Sequence, residues 1–130
     1  MDRLAASFAA MGMMRTMGAS LISAEEGRVV IEAPVTEAVS QQQGFGHAAL
    51  TFALGDSAAG YAALTTMPEG SEVLTAEIKI NLLAPARGPV LRAEGRVVRA
   101  GRRLVVVTAE VSDAQGAVAI LQGTMVPVAA

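Results

Sequence analysis

Apolar and polar positions alternate most cleanly between residues 73 and 83. Leu74, Ala76, Ile78, Ile80 and Leu82 fall on one face, and Thr75, Glu77, Lys79 and Asn81 on the other, which predicts a half-solvated antiparallel strand. Residues 90–99, 102–112 and 117–126 read as three further strands. Ala100-Gly101 joins the first two, and Asp113-Ala114-Gln115-Gly116 makes a hairpin turn before the last. Upstream, residues 20–24 and 28–33 read as two short strands around Glu25-Glu26-Gly27, with Pro34 ending the second. Before them, Leu4, Phe8 and Met11 recur at helical spacing, predicting a short helix over 2–15.

Residues 48–65 follow a helical pattern rich in Ala and Leu, stopped by Pro68-Glu69-Gly70. This is the only element apolar all round, and such helices are buried. Antiparallel strands need one face covered. The economical arrangement is α+β, a curved antiparallel sheet wrapped around that helix. No repeat, linker or boundary interrupts the chain, so residues 1–130 read as one domain, long enough to bury a core without staples.

Composition narrows the chemistry. Hydrophobic residues make up 52 % of the chain, with only three Phe and one Tyr, so the core is built from aliphatic side chains and suits an extra buried surface between subunits. The absence of cysteine excludes disulfides, thiolate metal sites and a cysteine nucleophile. A single histidine, His47, leaves most zinc sites without ligands; no metal or cofactor is expected. A net charge of -2 and few aromatics give no case for nucleic acid. Nine arginines against one lysine fit either phosphate recognition or a compositional preference.

Residues 44–67 are almost uncharged and long enough to span a bilayer, but they carry Asp56 near the centre and four glycines. The apolar start, Met1 to Gly18, carries Asp2, Arg3 and Arg15 and lacks a signal peptide's order. The expectation is a cytoplasmic protein without a membrane partner.

Asp56 is the anomaly. An ionised carboxylate is costly to bury unless paired or hydrogen-bonded, and no Lys or Arg occurs from residue 29 to 78. It sits at an exposed seam, is paired from far away, or is functional; the bland alternative is a structural carboxylate bonded to Ser57, Tyr61 or nearby backbone. His47 stands at the helix start, where unpaired N–H groups favour negative charge. A carbonyl docked there would find the Ala48 N–H as an oxyanion donor, unless His47 is simply a cap. Nine residues of helix separate His47 and Asp56 by roughly 13 Å and point them to opposite sides. They serve one reacting centre only if a two-fold dimer brings Asp56 of one chain to the helix start of the other. Phe45, Phe52, Tyr61, Met67 and Leu82-Leu83 are candidates for a pocket or equally for core, and acyl preference is not legible.

The run Gln41-Gln42-Gln43-Gly44-Phe45-Gly46-His47-Ala48-Ala49, followed by Leu54-Gly55-Asp56-Ser57-Ala58, resembles the signature of hotdog-fold thioesterases of the phenylacetate-degradation (PaaI) type. That pattern is Asn or Gln, six residues on a His-Gly-Gly, and Asp or Glu nine after the His. The similarity continues through residues 74–86 and 99–103 and covers the chain roughly from Met17 onward.

The resemblance implies a hotdog fold of about five to six strands around a long central helix. It also implies acyl-CoA thioester hydrolysis at a homodimer interface, with dimers pairing into a homotetramer. Carried over, Asp56 is the nucleophile or general base, and Gln41 positions water or thioester. The Ala48 N–H polarises the carbonyl, His47 supports that loop and Thr75 helps hold the water. Ser57 is placed with the substrate, and Arg102 and Arg103 meet CoA phosphates or else form a solvated turn. The Gly-Gly of the pattern is Ala48-Ala49 here, which keeps the N–H but disfavours positive φ. The rival readings are a non-catalytic acyl-CoA-binding module, against which Asp56, Gln41 and Thr75 argue, and a hydratase, which lacks its histidine after Asp56.

Overall fold

Six strands pair antiparallel throughout: β1 (Ser20–Glu25), β2 (Arg28–Pro34), β3 (Ser71–Leu82), β4 (Val90–Ala100), β5 (Val105–Asp113) and β6 (Gly116–Ala129). The structure, a computed structural model, describes residues 1–129. The strand order is β1-β2-β4-β5-β6-β3. From β2 the chain must therefore cross the sheet to place β3 at the far edge. That crossing carries the central helix α3 (Ala48–Leu64), which packs on β2, β3, β4, β5 and β6. Leu50, Leu54, Ala58, Ala59 and Ala62 of α3 share one core with Ile31, Leu91, Ala93, Val107, Val111, Leu121 and Met125, none more than 3 % exposed. Small residues let helix and sheet approach closely: a Cβ on Gly95 would collide with the Ala58 carbonyl.

Three details depart from the sequence pattern. The helix expected over 2–15 is two helices, α1 (Asp2–Ala10) and α2 (Gly12–Met17), broken at Met11, whose φ of -79° and ψ of 105° are extended. Arg15 closes the break by donating to the Ala9 carbonyl at 2.6 Å. The central helix is not buried all round. Its second half is, but Ala48, Ala49 and Phe52 are exposed and Ala53, Asp56 and Ser57 half-buried, so an open seam runs along its first half.

The third departure lies in β3. Pairing with β6 shifts register between Thr75 and Glu77, so Ala76 is the extra residue of a bulge. A bulge reverses which alternate residues face inward. Val73 and Thr75 point to the helix side before it, Ile78 and Ile80 after it. Leu74, assigned by alternation to the same face as Ile78, is 56 % exposed.

The N-terminal helix is locked down by one side chain. The Arg3 guanidinium donates to the Leu64, Met67 and Pro68 carbonyls at 2.7, 2.6 and 2.6 Å, tying α1 to the end of α3 and the turn that follows it. Arg3→Ala is expected to cost about 1–2 kcal/mol and to lower the thermal midpoint by roughly 5–10 °C. An unchanged midpoint would show that the clamp contributes nothing.

Candidate active site

Asp56 lies on the open seam of α3, and its partner comes from β3. The Thr75 hydroxyl donates to Asp56 Oδ1 at 2.7 Å. The bulge makes this possible: strict alternation with Leu74 inward would turn Thr75 away from the helix. Bulges re-aim side chains in this way beside functional sites. Neither Ser57 nor Tyr61 bonds to Asp56; Tyr61 bonds to Ser7 instead, at 3.1 Å. The carboxylate keeps acceptor capacity and opens on a cleft of about 120 Å3. Ser57 lines the same cleft, as do Ser7, Met11, Tyr61 and Glu72, which lie outside the sequence motif.

Gln41, His47 and Ala48 lie in a different place. They line a groove of about 530 Å3 with Phe45, Leu82, Leu83 and Ala86. The two clefts share no lining residue. Of the other pocket candidates, Met67 is core and Phe52 sits exposed on α3.

His47 is the N-cap of α3, its Nδ1 accepting the Ala49 N–H at 2.8 Å. The Leu50 and Thr51 N–H groups donate to the His47 carbonyl. Among the described residues this leaves the Ala48 N–H without an acceptor, at the positive end of a 17-residue helix. Among the described residues no non-glycine residue has positive φ, so Ala48 occupies its position without strain.

Gln41 Oε1 accepts the N–H groups of Gln43 and Phe45, and its Nε2 donates to Gln43 Oε1 at 3.3 Å. The amide therefore orders the 41–46 loop at the mouth of the groove. The facing loop is tied down by Asp113, whose carboxylate accepts from the backbone N–H of Arg87, Gly88 and Gln115. Burial pushes that carboxyl up, but these donors outweigh it and hold it below the ordinary range. The Arg87 guanidinium stacks 4.9 Å from the Phe45 ring.

Arg102 and Arg103 are exposed in the turn between β4 and β5. Register carries Ala100 to Val105, Val105 to Met125 and Met125 to Thr75. The turn thus belongs to the Asp56–Thr75 end of the sheet, opposite the groove. Among the described residues no cluster of potential metal ligands occurs, and no helix is long and apolar enough to cross a membrane.

A half-exposed carboxylate oriented by a hydroxyl can take a proton from water or attack an acyl carbon. A free helix-start N–H can hold an oxyanion. The chain is similar to known proteins over most of its length. The profile of the thioesterase superfamily matches residues 43–120, which span the Gln43–Ala49 loop, α3 and most of the sheet. A thioesterase family protein from Silicibacter pomeroyi superposes with a TM-score of 0.94 at 37 % identity, covering 98 % of this chain and 97 % of that one. A candidate esterase from Saccharolobus solfataricus is 33 % identical over 80 % of this chain and 74 % of its own. The 1,4-dihydroxy-2-naphthoyl-CoA hydrolase of Listeria monocytogenes is 28 % identical over 79 % of this chain and 84 % of its own. The six-stranded sheet on its central helix is the hotdog fold, and the chain belongs to the thioesterase superfamily as a thioester hydrolase.

Proposed function

We propose that the chain hydrolyses acyl-CoA thioesters at a site shared between two subunits of a homodimer, with Asp56 as nucleophile or general base. The observation that carries this is the separation of the two halves of the chemistry: the carboxylate opens into one cleft and the free Ala48 N–H into another. The CoA substrate is supported by the Listeria hydrolase, whose named substrate is a CoA thioester.

The edge strand supplies a route to assembly. β3 is twelve residues long and lies at the sheet edge; Leu74 and Leu82 within it and Leu83 just after it are more than half exposed. A bare apolar edge invites pairing. Two antiparallel copies of β3, related by a two-fold axis between Ile78 and Lys79, bring Leu74 opposite Leu83 and Thr75 opposite Leu82. Thr75 marks the Asp56 cleft and Leu82 the groove, so each pairing completes two sites. The same operation carries Arg102 and Arg103 towards the partner's groove, where they meet CoA phosphates. The single domain works in the cytoplasm, and two such dimers pair into a homotetramer.

At the shared site Thr75 fixes the Asp56 carboxylate against water or the thioester. As general base, Asp56 takes a proton while the water oxygen bonds to the acyl carbon. As nucleophile, its oxygen forms an anhydride that water then opens. In both routes the Ala48 N–H holds the oxyanion, Gln41 orients water or thioester, and His47 keeps the helix start open by occupying the Ala49 N–H. Ser57 lines the acyl side. Collapse breaks the C–S bond, and the CoA thiolate leaves and takes up a proton.

Release of free thiol from a panel of acyl-CoAs tests the reading; tight binding without release would turn it into a non-catalytic module. Thr75→Val keeps the shape and removes the hydroxyl. It is expected to lower kcat by about tenfold with KM little changed. Unchanged kcat would remove Thr75 from the site.

A further inference from the structure

The Asp56 cleft is closed at its far end by α1. Arg3 pins that helix to the end of α3, Leu4 is 1 % exposed, and Phe8 packs on Tyr61 with ring centroids 6.1 Å apart. Ser7 and Met11 are thereby held as the distal wall of the cleft.

The polar groups on this wall form a directed chain. Ser7 donates its one proton to Glu72 Oε2 at 3.3 Å. The Tyr61 phenol, 3.1 Å from Ser7 Oγ, must therefore be the donor in that pair. Burial pushes the Tyr61 phenol up; the Ser7 hydrogen bond pulls it down by less, and the nearby Glu72 charge adds to the rise, so it keeps its proton. With both protons committed, the wall offers only lone pairs. The cleft is lined by two carboxylates, Asp56 and Glu72, and by no Lys or Arg.

We propose that Ser7 of α1 and Met11 at the break after it form the end of the acyl pocket, and that the Tyr61–Ser7–Glu72 chain makes this end reject acyl groups that terminate in a carboxylate while admitting short neutral ones. The inference rests on Asp56 being the reacting group, which places the acyl chain in this cleft. Its volume of about 120 Å3 holds only a handful of non-hydrogen atoms. A terminal carboxylate there would face Glu72 at short range with no cation among the lining residues and only the Ser57 hydroxyl left as a side-chain donor, a penalty larger than one misplaced methylene imposes.

The test compares succinyl-CoA with 4-methylpentanoyl-CoA, which has the same branched shape without the charge, after subtraction of the enzyme-free rate. The wild-type protein is expected to favour the neutral substrate by about 100-fold in kcat/KM. Glu72→Gln keeps the shape, and is expected to shrink that preference by about tenfold. Met11→Ala is expected to raise octanoyl-CoA relative to 4-methylpentanoyl-CoA by about tenfold. Each readout is a ratio of two substrates on one protein, so partial loss of folded material does not move it. Equal turnover of the paired substrates, or ratios unmoved by both variants, would overturn the proposal while leaving the hydrolase standing. No turnover of any acyl-CoA by the folded wild-type protein would instead overturn the reading on which it rests.

Discussion

Asp56→Asn is expected to lower kcat by about a thousandfold while leaving the protein folded. Asn has the same shape, and its amide oxygen can still accept the Thr75 proton, so the bond between α3 and β3 survives. What disappears is the ability to take a proton or to attack carbon. KM should change little, because the carboxylate contributes to the transition state more than to ground-state binding. Stability should hold or rise slightly, since the half-buried carboxylate has no cation among the residues lining its cleft. Thiol release measured beside a denaturation curve separates the two effects. Wild-type turnover by Asp56→Asn would refute the assignment.

The second large effect lies on the sheet beneath the helix. A Cβ at Gly95 meets the Ala58 carbonyl carbon and oxygen and the Ala59 nitrogen, all backbone. Neither partner can swing aside, so Gly95→Val has to push α3 off β4. The expected cost is about 3 kcal/mol or more, a fall in thermal midpoint of roughly 10–15 °C. Activity should fall with it, because Ala58 is two residues beyond Asp56. Gly55 gives the contrast on the same helix. There the nearest atom is Leu121 Cδ1, at 2.6 Å, the end of a flexible side chain. Gly55→Ala also gains about 1 kcal/mol of helix propensity, and should come out near neutral. Equal stabilities for the Gly95→Val and Gly55→Ala proteins would contradict this account of the helix–sheet contact.

Elements carried by periodicity were legible in the chain. The Ala-rich stretch before Pro68 is α3, and all six expected strands are present, although β5 starts at Val105 instead of Arg102 and β6 runs on to Ala129. Alternation could not reveal the bulge at Ala76, since an apolar residue there continues the pattern that the backbone breaks. It therefore misplaced Leu74 inward and hid the reason Thr75 can reach Asp56. Asp56 itself was visible as a lone charge in an apolar run. The far wall of its cleft was not, because Ser7 and Glu72 are 65 residues apart and neither is unusual where it stands. Only Tyr61, a polar tip in a buried helix, hinted at it. Gly95 reads in sequence as an ordinary weak point in a strand, and its closeness to Ala58 is a product of tertiary packing.

The shared site is tested most directly by a mixed dimer. One chain carries Asp56→Asn and the other Gln41→Ala with His47→Ala, each with its own tag, and the doubly tagged heterodimer is purified. If each site takes its carboxylate from one subunit and its oxyanion groove from the other, one of the two sites is intact. The heterodimer then shows about half the wild-type turnover, although both parent homodimers are inactive. If each chain holds a complete site, both sites are broken, and a heterodimer as inactive as its parents would contradict the account.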